Sequence, residues 1–309
     1  MHLSMHNWMR AEPIEITIRR LAKYGYESIE ISGEPDIFDT REVRKLLQEN
    51  GLKCWGSVTL MLGDRCLPSK DEQKRAHSVQ YVKECVTMVK ELDGYEITIV
   101  PGTVGKIEPD ATPEEEWEWA VDGMKQIYDH AMKEGIRLAI EPINRFETYF
   151  ITRGAQALAL AEATGPQCGI CLDTFHMNME EKDPYQTILD AGDRLVDFHV
   201  ADTNRMPAGY GQWDWLKVVG VLEVVGYDGA LTAEFVAPID RTPANPYPDA
   251  VETEPVDISP EQKKFIQDHG SSLLSEGFYD WLVAENAKTL LPLIKYGVGR
   301  VEKADEIRT

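Results

Sequence analysis

Basic residues are scarce in this sequence, and no apolar run approaches the length that spans a bilayer. The 309 residues include 32 Lys and Arg against 53 Asp and Glu, which gives a formal net charge of −21. This charge repels a nucleic-acid backbone and an anionic membrane surface, so neither is an expected partner. The amino-terminal residues also lack the basic-then-apolar profile of a secretion signal, which favours a cytoplasmic location.

Cysteine is rare, and its count is odd. Two of the five cysteines lie inside apolar, strand-like sequence, so we expect reduced, buried thiols rather than a disulfide framework. The cysteines are Cys54, Cys66, Cys85, Cys168 and Cys171. With 43% apolar residues and no internal repeats, the chain can bury a substantial core.

Strand-like and helix-like patterns alternate along the whole chain. The strand candidates are short apolar runs closed by polar or turn residues, at 3–6, 28–31, 53–58, 96–100, 137–141, 169–173, 195–200 and 230–235. Helix candidates lie at 13–23, 40–50, 71–92, 112–134, 153–164, 185–191, 213–225 and 278–294. Eight strand and helix pairs in succession predict an α/β fold, a closed parallel (β/α)8 TIM barrel, as a single domain over residues 1–309.

The chain has no glycine-rich phosphate loop after its first strand, where Asn7–Arg10 stands instead. A doubly wound open sheet, the alternative architecture, usually carries such a loop there. A barrel takes about 250 residues, so part of the chain is surplus. The surplus is a proline-rich insertion at 237–277, after strand 8, which we predict to be a lid, a subunit interface or a cofactor clamp.

Polar side chains end the last four strands of the predicted barrel. Glu141 ends strand 5, Asp173 ends strand 6, His199 lies in strand 7 and Glu234 ends strand 8. The carboxyl ends of the strands form the functional face of such a barrel, so these side chains meet at one rim. Three carboxylates and one imidazole suit Mn²⁺, with Mg²⁺ or Co²⁺ as alternatives, and leave positions open for substrate oxygens. The sequence therefore predicts a metal site; no organic cofactor is expected.

Further polar residues follow three of these ligands at short offsets: Glu147, His176 and Arg205. The stretches Glu141–Thr148, Leu172–Glu181 and His199–Arg205 closely resemble the sugar isomerase/epimerase superfamily of xylose-isomerase-like barrels, and within it the ketose 3-epimerases. The resemblance implies that the four ligands hold one divalent metal, normally Mn²⁺. It also implies that Glu141 and Glu234 exchange a proton on the two faces of a sugar carbon, and that Glu147, His176 and Arg205 bind sugar oxygens.

Two features depart from an ordinary epimerase: the long insertion, and the aromatic and polar groups at the ends of the first two strands, with His6 and Trp8 as substrate-binding candidates. Both features resemble the catalytic α subunits of bacterial C-glycoside deglycosidases. That resemblance implies a metal-dependent carbon–carbon lyase that works with a small β subunit in a hetero-oligomer. Its substrate would be a 3-oxo-C-glucoside, which loses the proton next to its keto group to form a metal-stabilised enolate.

Several functions compete at this stage. The lyase is the main hypothesis, and the alternative is a ketose 3-epimerase or sugar isomerase that acts on a free keto-sugar through an enediolate. A catalytically inactive scaffold is disfavoured because it has no reason to keep four mutually repelling groups. A multi-zinc nuclease needs more histidines than this rim offers. The catalytic base of the lyase could be any of Glu141, Glu234, His176 and His6.

Overall fold

The structure, a computed structural model, describes residues 1–238, 240, 242–250 and 274–297. Eight parallel strands form one sheet in the order β1-β8-β7-β6-β5-β4-β3-β2. A parallel bridge between His6 and Glu30 brings β1 and β2 together, so the sheet is nearly closed into a barrel. The predicted TIM barrel is confirmed. The strands are β1 His2–Met5, β2 Ser28–Ser32, β3 Lys53–Val58, β4 Glu96–Ile99, β5 Arg137–Ile140, β6 Cys168–Asp173, β7 Leu195–Val200 and β8 Ala230–Ala233.

Local capping signals begin and end most of the helices around the barrel. The Asp39 and Asp71 side chains accept hydrogen bonds from the first backbone amides of α2 and α3, and Thr112 begins α4 with a capping box. Gly51 and Gly135 end α2 and α4 in the left-handed conformation that glycine adopts without strain. The α-helices are α1 Ile14–Lys23, α2 Thr40–Asn50, α3 Glu72–Glu91, α4 Pro113–Glu134, α5 Gly154–Thr164, α6 Thr174–Glu180, α7 Pro184–Ala191, α8 Trp215–Val224 and α9 Glu276–Tyr296.

The core is apolar between the sheet and the helices but polar inside the barrel. Side chains alternate along a strand, and apolar residues such as Leu3, Ile29, Ile97 and Phe198 belong to the large apolar cluster. The intervening positions of the strands carry fully buried polar side chains: Ser4, Glu30, Ser57, Glu96, Thr98, Asp197 and Thr232. The barrel interior below the strand ends is therefore rich in acids.

The structure differs from the sequence expectations in a few places. A short helix, α6, follows β6 directly, although no helix was predicted there. Glu141 and Glu234 lie one residue beyond the ends of their strands. Residues 251–273 of the proline-rich insertion lie outside the described residues, so its role stays a prediction. At its edges, Ser275 N–H donates to the Ala250 carbonyl.

Two further observations concern the chain as a whole. All five cysteines are buried and free, as predicted. Among the described helices, none combines the length and the apolar character needed to cross a bilayer.

Glu96 gives the barrel interior a pH-dependent cost in stability. Burial, and then the charges of Glu30 and Asp197, raise the pKa of Glu96 well above its ordinary value of 4.5. Above that ordinary value the unfolded chain releases a proton that the folded chain keeps, so rising pH favours unfolding. We expect the free energy of unfolding of the wild type to fall, relative to Glu96→Gln, as the pH rises above about 4.5, by about 1.4 kcal/mol per pH unit for as long as Glu96 of the folded chain keeps its proton.

Urea unfolding at several pH values between 5 and 8 measures this difference. Glu84→Gln, on the exposed face of α3, is the matched control and should parallel the wild type. A Glu96→Gln variant whose stability follows the wild type at every pH would contradict this account of the interior.

Candidate metal centre and active site

Four neighbouring strands deliver the predicted metal ligands to one end of the barrel. Asp173 ends β6 and lies opposite His199 of β7 in the register of the two strands. Glu141 and Glu234 extend β5 and β8 by one residue, because their amides donate to the Ile99 and Val200 carbonyls at 2.9 and 3.0 Å. The position of each ligand thus follows from the parallel sheet itself.

The structure brings these four side chains together in a buried cluster. One potential ligand atom from each of Glu141, Asp173, His199 and Glu234 lies within 4.8 Å of the others. The Nδ1 atom of His199 lies 3.2 Å from Glu141 Oε1 and 3.0 Å from Glu234 Oε2. All four residues are buried.

The missing hydrogen bond and the negative charge of these four residues fit a divalent cation. Asp173 Oδ1 accepts from the Phe175 amide at the start of α6, whereas its Oδ2 is buried without a hydrogen-bond partner. Burial lowers the pKa of His199, yet Cys171, Glu141, Glu30 and Asp197 around it hold that pKa well above its ordinary value. A cation relieves both the orphaned oxygen and the excess of negative charge. The cluster is therefore consistent with a divalent metal site.

The two carboxylates beside His199 differ in proton affinity. Burial raises the pKa of Glu141 to about 7, and it raises that of Asp173 to about 7 as well. Burial acts on Glu234 in the same direction, but hydrogen bonds to His199 and His6 outweigh it and hold the pKa of Glu234 well below its ordinary value. Such a pair of carboxyl groups can hold a proton on one member and leave the other ionised.

His176 lies beside the cluster on α6 and is neutral. Its Nδ1 accepts from the Asn144 amide at 3.2 Å and lies 2.9 Å from the Asn144 side-chain nitrogen. Two donors at Nδ1 leave the proton on Nε2, which lies 3.9 Å from Asp173 Oδ2. Burial lowers the pKa of His176 to about 3, so its Nε2–H is a hydrogen-bond donor at neutral pH.

Arg205 joins two of the predicted residues. Its guanidinium lies 3.4 Å from Glu147 Oε1 and 3.2 Å from Glu234 Oε1. The guanidinium also lies over the Phe175 ring, 4.7 Å from the ring centre. The backbone of Arg205 has a φ of 61°, a strained conformation that occurs often at functional sites.

His6 and Trp8 lie on the β1 side of the cluster. His6 is fully buried, with Nε2 3.4 Å from Glu234 Oε2 and Nδ1 3.4 Å from Glu30 Oε2. Trp8 is half-buried, and its ring centre lies 5.4 Å from that of His6. His6 therefore contacts a ligand carboxylate from inside the barrel, and Trp8 lies next to it.

Three buried acids directly below the cluster were not predicted from the sequence: Glu30, Glu96 and Asp197. Two of them approach the second nitrogen of His199, whose Nε2 lies 2.8 Å from Asp197 Oδ2 and 3.1 Å from Glu30 Oε2. The available signal was an acid flanked by apolar residues within a strand, as in Val196-Asp197-Phe198. Such an acid is buried only if its side of the strand faces the barrel interior.

Comparison with known proteins identifies the family. The family model described as "Xylose isomerase-like TIM barrel" matches residues 18–254. The chain belongs to this family.

Relatives of this xylose isomerase-like chain act on sugars. An L-ribulose 3-epimerase from Methylomonas sp. (strain DH-1) is 31% identical over 216 residues, which are 69% of this chain and 75% of the relative. A 3-dehydro-D-guloside 4-epimerase from Escherichia coli (strain K12) is 25% identical over 226 residues, or 70% and 84% of the two chains. The chain is thus an enzyme of the sugar isomerase/epimerase superfamily that acts on sugars.

The barrel also resembles solved members of the superfamily. A crystal structure of D-allulose 3-epimerase from Methylomonas sp., in complex with D-allulose, matches 96% of this chain and 96% of its own with a TM-score of 0.78. The two sequences are 24% identical over this match, so the likeness is one of fold.

In this xylose isomerase-like barrel, Arg205→Ala is expected to raise KM by about 10-fold or more while the metal content stays unchanged. The expectation follows from the predicted role of Arg205 in binding a sugar oxygen, because its removal then costs a charged hydrogen bond of about 1.5–3 kcal/mol but none of the four clustered ligands. Initial rates over a range of sugar concentrations, with metal analysis of the same sample, measure both effects. Loss of bound metal at unchanged KM would place Arg205 in the metal site instead.

A cavity of about 600 Å³ lies at the opposite, amino end of the barrel. It is lined by residues at strand starts, among them His2, Lys53 and Trp55. It is therefore separate from the candidate active site. Trp55 lines this cavity and also contacts the barrel interior, because its Nε1–H donates to Asp197 Oδ1 at 2.9 Å.

Proposed function

We propose that this enzyme is a metal-dependent ketose 3-epimerase, which removes and returns a proton on the carbon next to the carbonyl of a keto-sugar. The observation that carries the proposal is the pair of carboxylates, Glu141 and Glu234, that flank the same nitrogen of His199 at 3.2 and 3.0 Å. Epimerisation needs two proton-exchanging groups at one carbon, and this site has two. The L-ribulose 3-epimerase among the relatives supports the same reaction.

In this proposal Glu141, Asp173, His199 and Glu234 hold one divalent cation, with Mn²⁺ as the first candidate and Mg²⁺ or Co²⁺ as alternatives. When bound, the cation supplies positive charge that favours negative charge on a carbonyl oxygen as the neighbouring C–H bond breaks. The remaining steps belong to the side chains.

Glu234 is the proposed base, because the Arg205 guanidinium, 3.2 Å from Glu234 Oε1, favours the ionised carboxylate. It accepts the proton of the sugar carbon, and the C–H electron pair moves towards the carbonyl to give an enediolate. Glu141, which lies 3.2 Å from the same His199 nitrogen, then donates a proton to the other face of that carbon. After product release Glu234 gives its proton to solvent and Glu141 takes one up, which restores the starting state and balances the proton count. In the reverse direction the two groups exchange roles.

The neighbouring polar groups are the proposed sugar-binding residues. The His176 Nε2–H donates to a sugar oxygen, and Arg205 and Glu147 bind hydroxyl groups next to Glu234. Trp8 packs on the sugar from the β1 side, next to His6. These contacts hold the reacting carbon between the two carboxylates.

A second candidate function is the carbon–carbon lyase on 3-oxo-C-glucosides. Trp8 beside the site could pack against an aromatic aglycone, and the E. coli relative is named for a 3-dehydro-glycoside. The C–H bond next to the keto group, here at C2, breaks in the same way, but the C1–aglycone bond then breaks as well, and the aglycone carbon takes up a proton. The proton is then donated to the aglycone and not to the opposite face of the sugar carbon, so this reaction does not need two carboxylates at one sugar carbon. A small β subunit, and the insertion at 237–277 as its interface, remain predictions.

Product analysis by mass spectrometry and chromatography distinguishes the two functions. The purified, Mn²⁺-loaded chain is incubated with free ketohexoses and, separately, with a 3-oxo-C-glucoside, with and without a candidate small subunit. Interconversion of ketoses at C3 by the chain alone supports the epimerase. Release of aglycone that depends on the second subunit, without ketose conversion, supports the lyase and contradicts the main proposal.

A further inference from the structure

His199 lies between two groups of carboxylates. Its Nδ1 faces Glu141 and Glu234 in the candidate metal centre. Its Nε2 faces the barrel interior, 2.8 Å from Asp197 Oδ2 and 3.1 Å from Glu30 Oε2. All of these contacts are buried, so the two nitrogens of one ring have separate partners on its two sides.

The two sides of the ring are chemically linked. A histidine nitrogen binds a metal only when it carries no proton, so a neutral ring that uses Nδ1 keeps its proton on Nε2. A buried Nε2–H needs an acceptor, and a carboxylate there fixes both the tautomer and the orientation of the ring. The group that faces Nε2 therefore controls which nitrogen is available to the metal.

Asp197 is the better placed of the two acids. Its Oδ1 accepts from the Trp55 indole at 2.9 Å and from the Thr232 hydroxyl at 3.5 Å. Its Oδ2 accepts from the Cys171 thiol at 3.7 Å and lies 2.8 Å from His199 Nε2, within hydrogen-bond distance but not aligned for a hydrogen bond in this structure. Glu30 is farther from the ring and lies beside His6, whose Nδ1 is 3.4 Å away. Asp197 also precedes His199 by two residues on β7, so the pleat of the strand directs both side chains into the barrel.

We propose that Asp197 is a positioning residue for the metal centre. It accepts the Nε2 proton of His199 and thereby presents the unprotonated Nδ1 to the cation, while the Trp55 indole holds the Asp197 carboxylate in place. This inference rests on the proposed metal centre and adds to it the residue that selects the histidine tautomer. It also explains why an acid lies inside an apolar strand.

Asp197→Asn tests the inference through the polarity of one hydrogen bond. The asparagine oxygen still accepts from the Trp55 indole, so the amide NH₂ then faces His199 Nε2. That NH₂ favours an unprotonated Nε2 and a protonated Nδ1, which is the tautomer that cannot bind the metal. We expect Mn²⁺ affinity to fall by about 10–100-fold.

Two readouts other than activity measure the effect. Titration followed by the electron paramagnetic resonance signal of free Mn²⁺ gives the dissociation constant. Pulsed measurements on protein with ¹⁵N-labelled histidine show whether an imidazole nitrogen binds the bound Mn²⁺. We expect the nitrogen coupling in the wild type and its loss in Asp197→Asn, in which the three carboxylates still hold the ion.

Two further variants complete the experiment. Trp55→Phe keeps the ring and removes the hydrogen bond to Asp197, so a smaller loss of affinity, about 3–10-fold, is expected. Ser57→Ala changes a buried polar group elsewhere in the barrel interior and should bind Mn²⁺ as the wild type does. If Asp197→Asn fails to fold, Trp55→Phe still tests whether the position of the Asp197 carboxylate affects Mn²⁺ binding.

The outcomes separate this inference from the proposed function. Wild type that binds no Mn²⁺ contradicts the metal centre, and the inference with it. Wild type that binds Mn²⁺, together with Asp197→Asn of equal affinity and unchanged nitrogen coupling, overturns the role of Asp197 and leaves the metal centre standing. An unchanged affinity in Trp55→Phe overturns the anchoring role of the indole.

Discussion

Glu234→Gln is expected to lower kcat by about 10³-fold or more and to weaken Mn²⁺ binding in the same protein. Glutamine keeps the size of the side chain, but its amide cannot take up the proton of the sugar carbon, and removal of a general base costs about 10²–10⁴-fold. The change also removes one negative charge from the metal cluster, where Glu234 Oε2 lies 3.0 Å from His199 Nδ1. Initial rates and metal content of the purified variant measure the two losses.

Saturating Mn²⁺ separates the two roles of Glu234. If its only role were to bind the metal, excess Mn²⁺ would restore the rate, whereas a base cannot be replaced in this way. Glu223→Gln, on the exposed side of α8, is the matched control and should keep full activity. Full activity of Glu234→Gln would contradict the site assignment.

Removal of the metal is expected to abolish turnover and to lower Tm. The three carboxylates of the cluster, whose ligand atoms lie within 4.8 Å of one another, repel one another less when a cation lies between them. At a Mn²⁺ concentration 100-fold above Kd, binding adds about 2.7 kcal/mol to the free energy of unfolding, or about 5 °C in Tm. Activity and thermal unfolding after chelation, and again after Mn²⁺ is restored, measure both effects.

Glu147→Gln provides the control for the stability effect. Glu147 contacts Arg205 on the substrate side and is not one of the four clustered ligands, so this variant should keep the full Mn²⁺-dependent rise in Tm. A wild type whose Tm and activity do not change on chelation would show that the cluster is not a metal site.

The strand order and the clustered residues were predictable because one rule links them. A parallel barrel brings all carboxyl strand ends to one rim, so the intervals between Glu141, Asp173, His199 and Glu234 were sufficient to predict that they meet. The structure places Asp173 opposite His199, and Glu141 and Glu234 one residue past their strands. The side chains still cluster despite this shift of one residue.

The parts that escaped prediction depend on information the local sequence lacks. Helix α6 is seven residues long and begins with the Asp173 side chain as its cap, so periodicity over so short a stretch gave no signal. Asp197 and Glu30 are acids in apolar strands, and only the strand register shows that both face His199. The neutral state of His176 follows from its contact with Asn144, which is remote from it in sequence.

The choice of which carboxylate removes the proton and which returns it also depends on contacts that only the structure shows. The sequence left Glu141, Glu234, His176 and His6 as candidates for the base. The Arg205 guanidinium beside Glu234 favours its ionised form, and the two donors at His176 Nδ1 leave the ring proton on Nε2, which makes that residue a donor. These contacts are the reason why the proposal assigns proton removal to Glu234 and proton return to Glu141.

Turnover in D₂O tests the central claim most directly. The Mn²⁺-loaded enzyme converts a ketohexose in D₂O, and mass spectrometry and NMR locate any deuterium in the product. A side-chain base that exchanges its proton with solvent predicts one deuterium at C3 of the product. Product without solvent deuterium would indicate a hydride shift and would contradict proton transfer through Glu234 and Glu141.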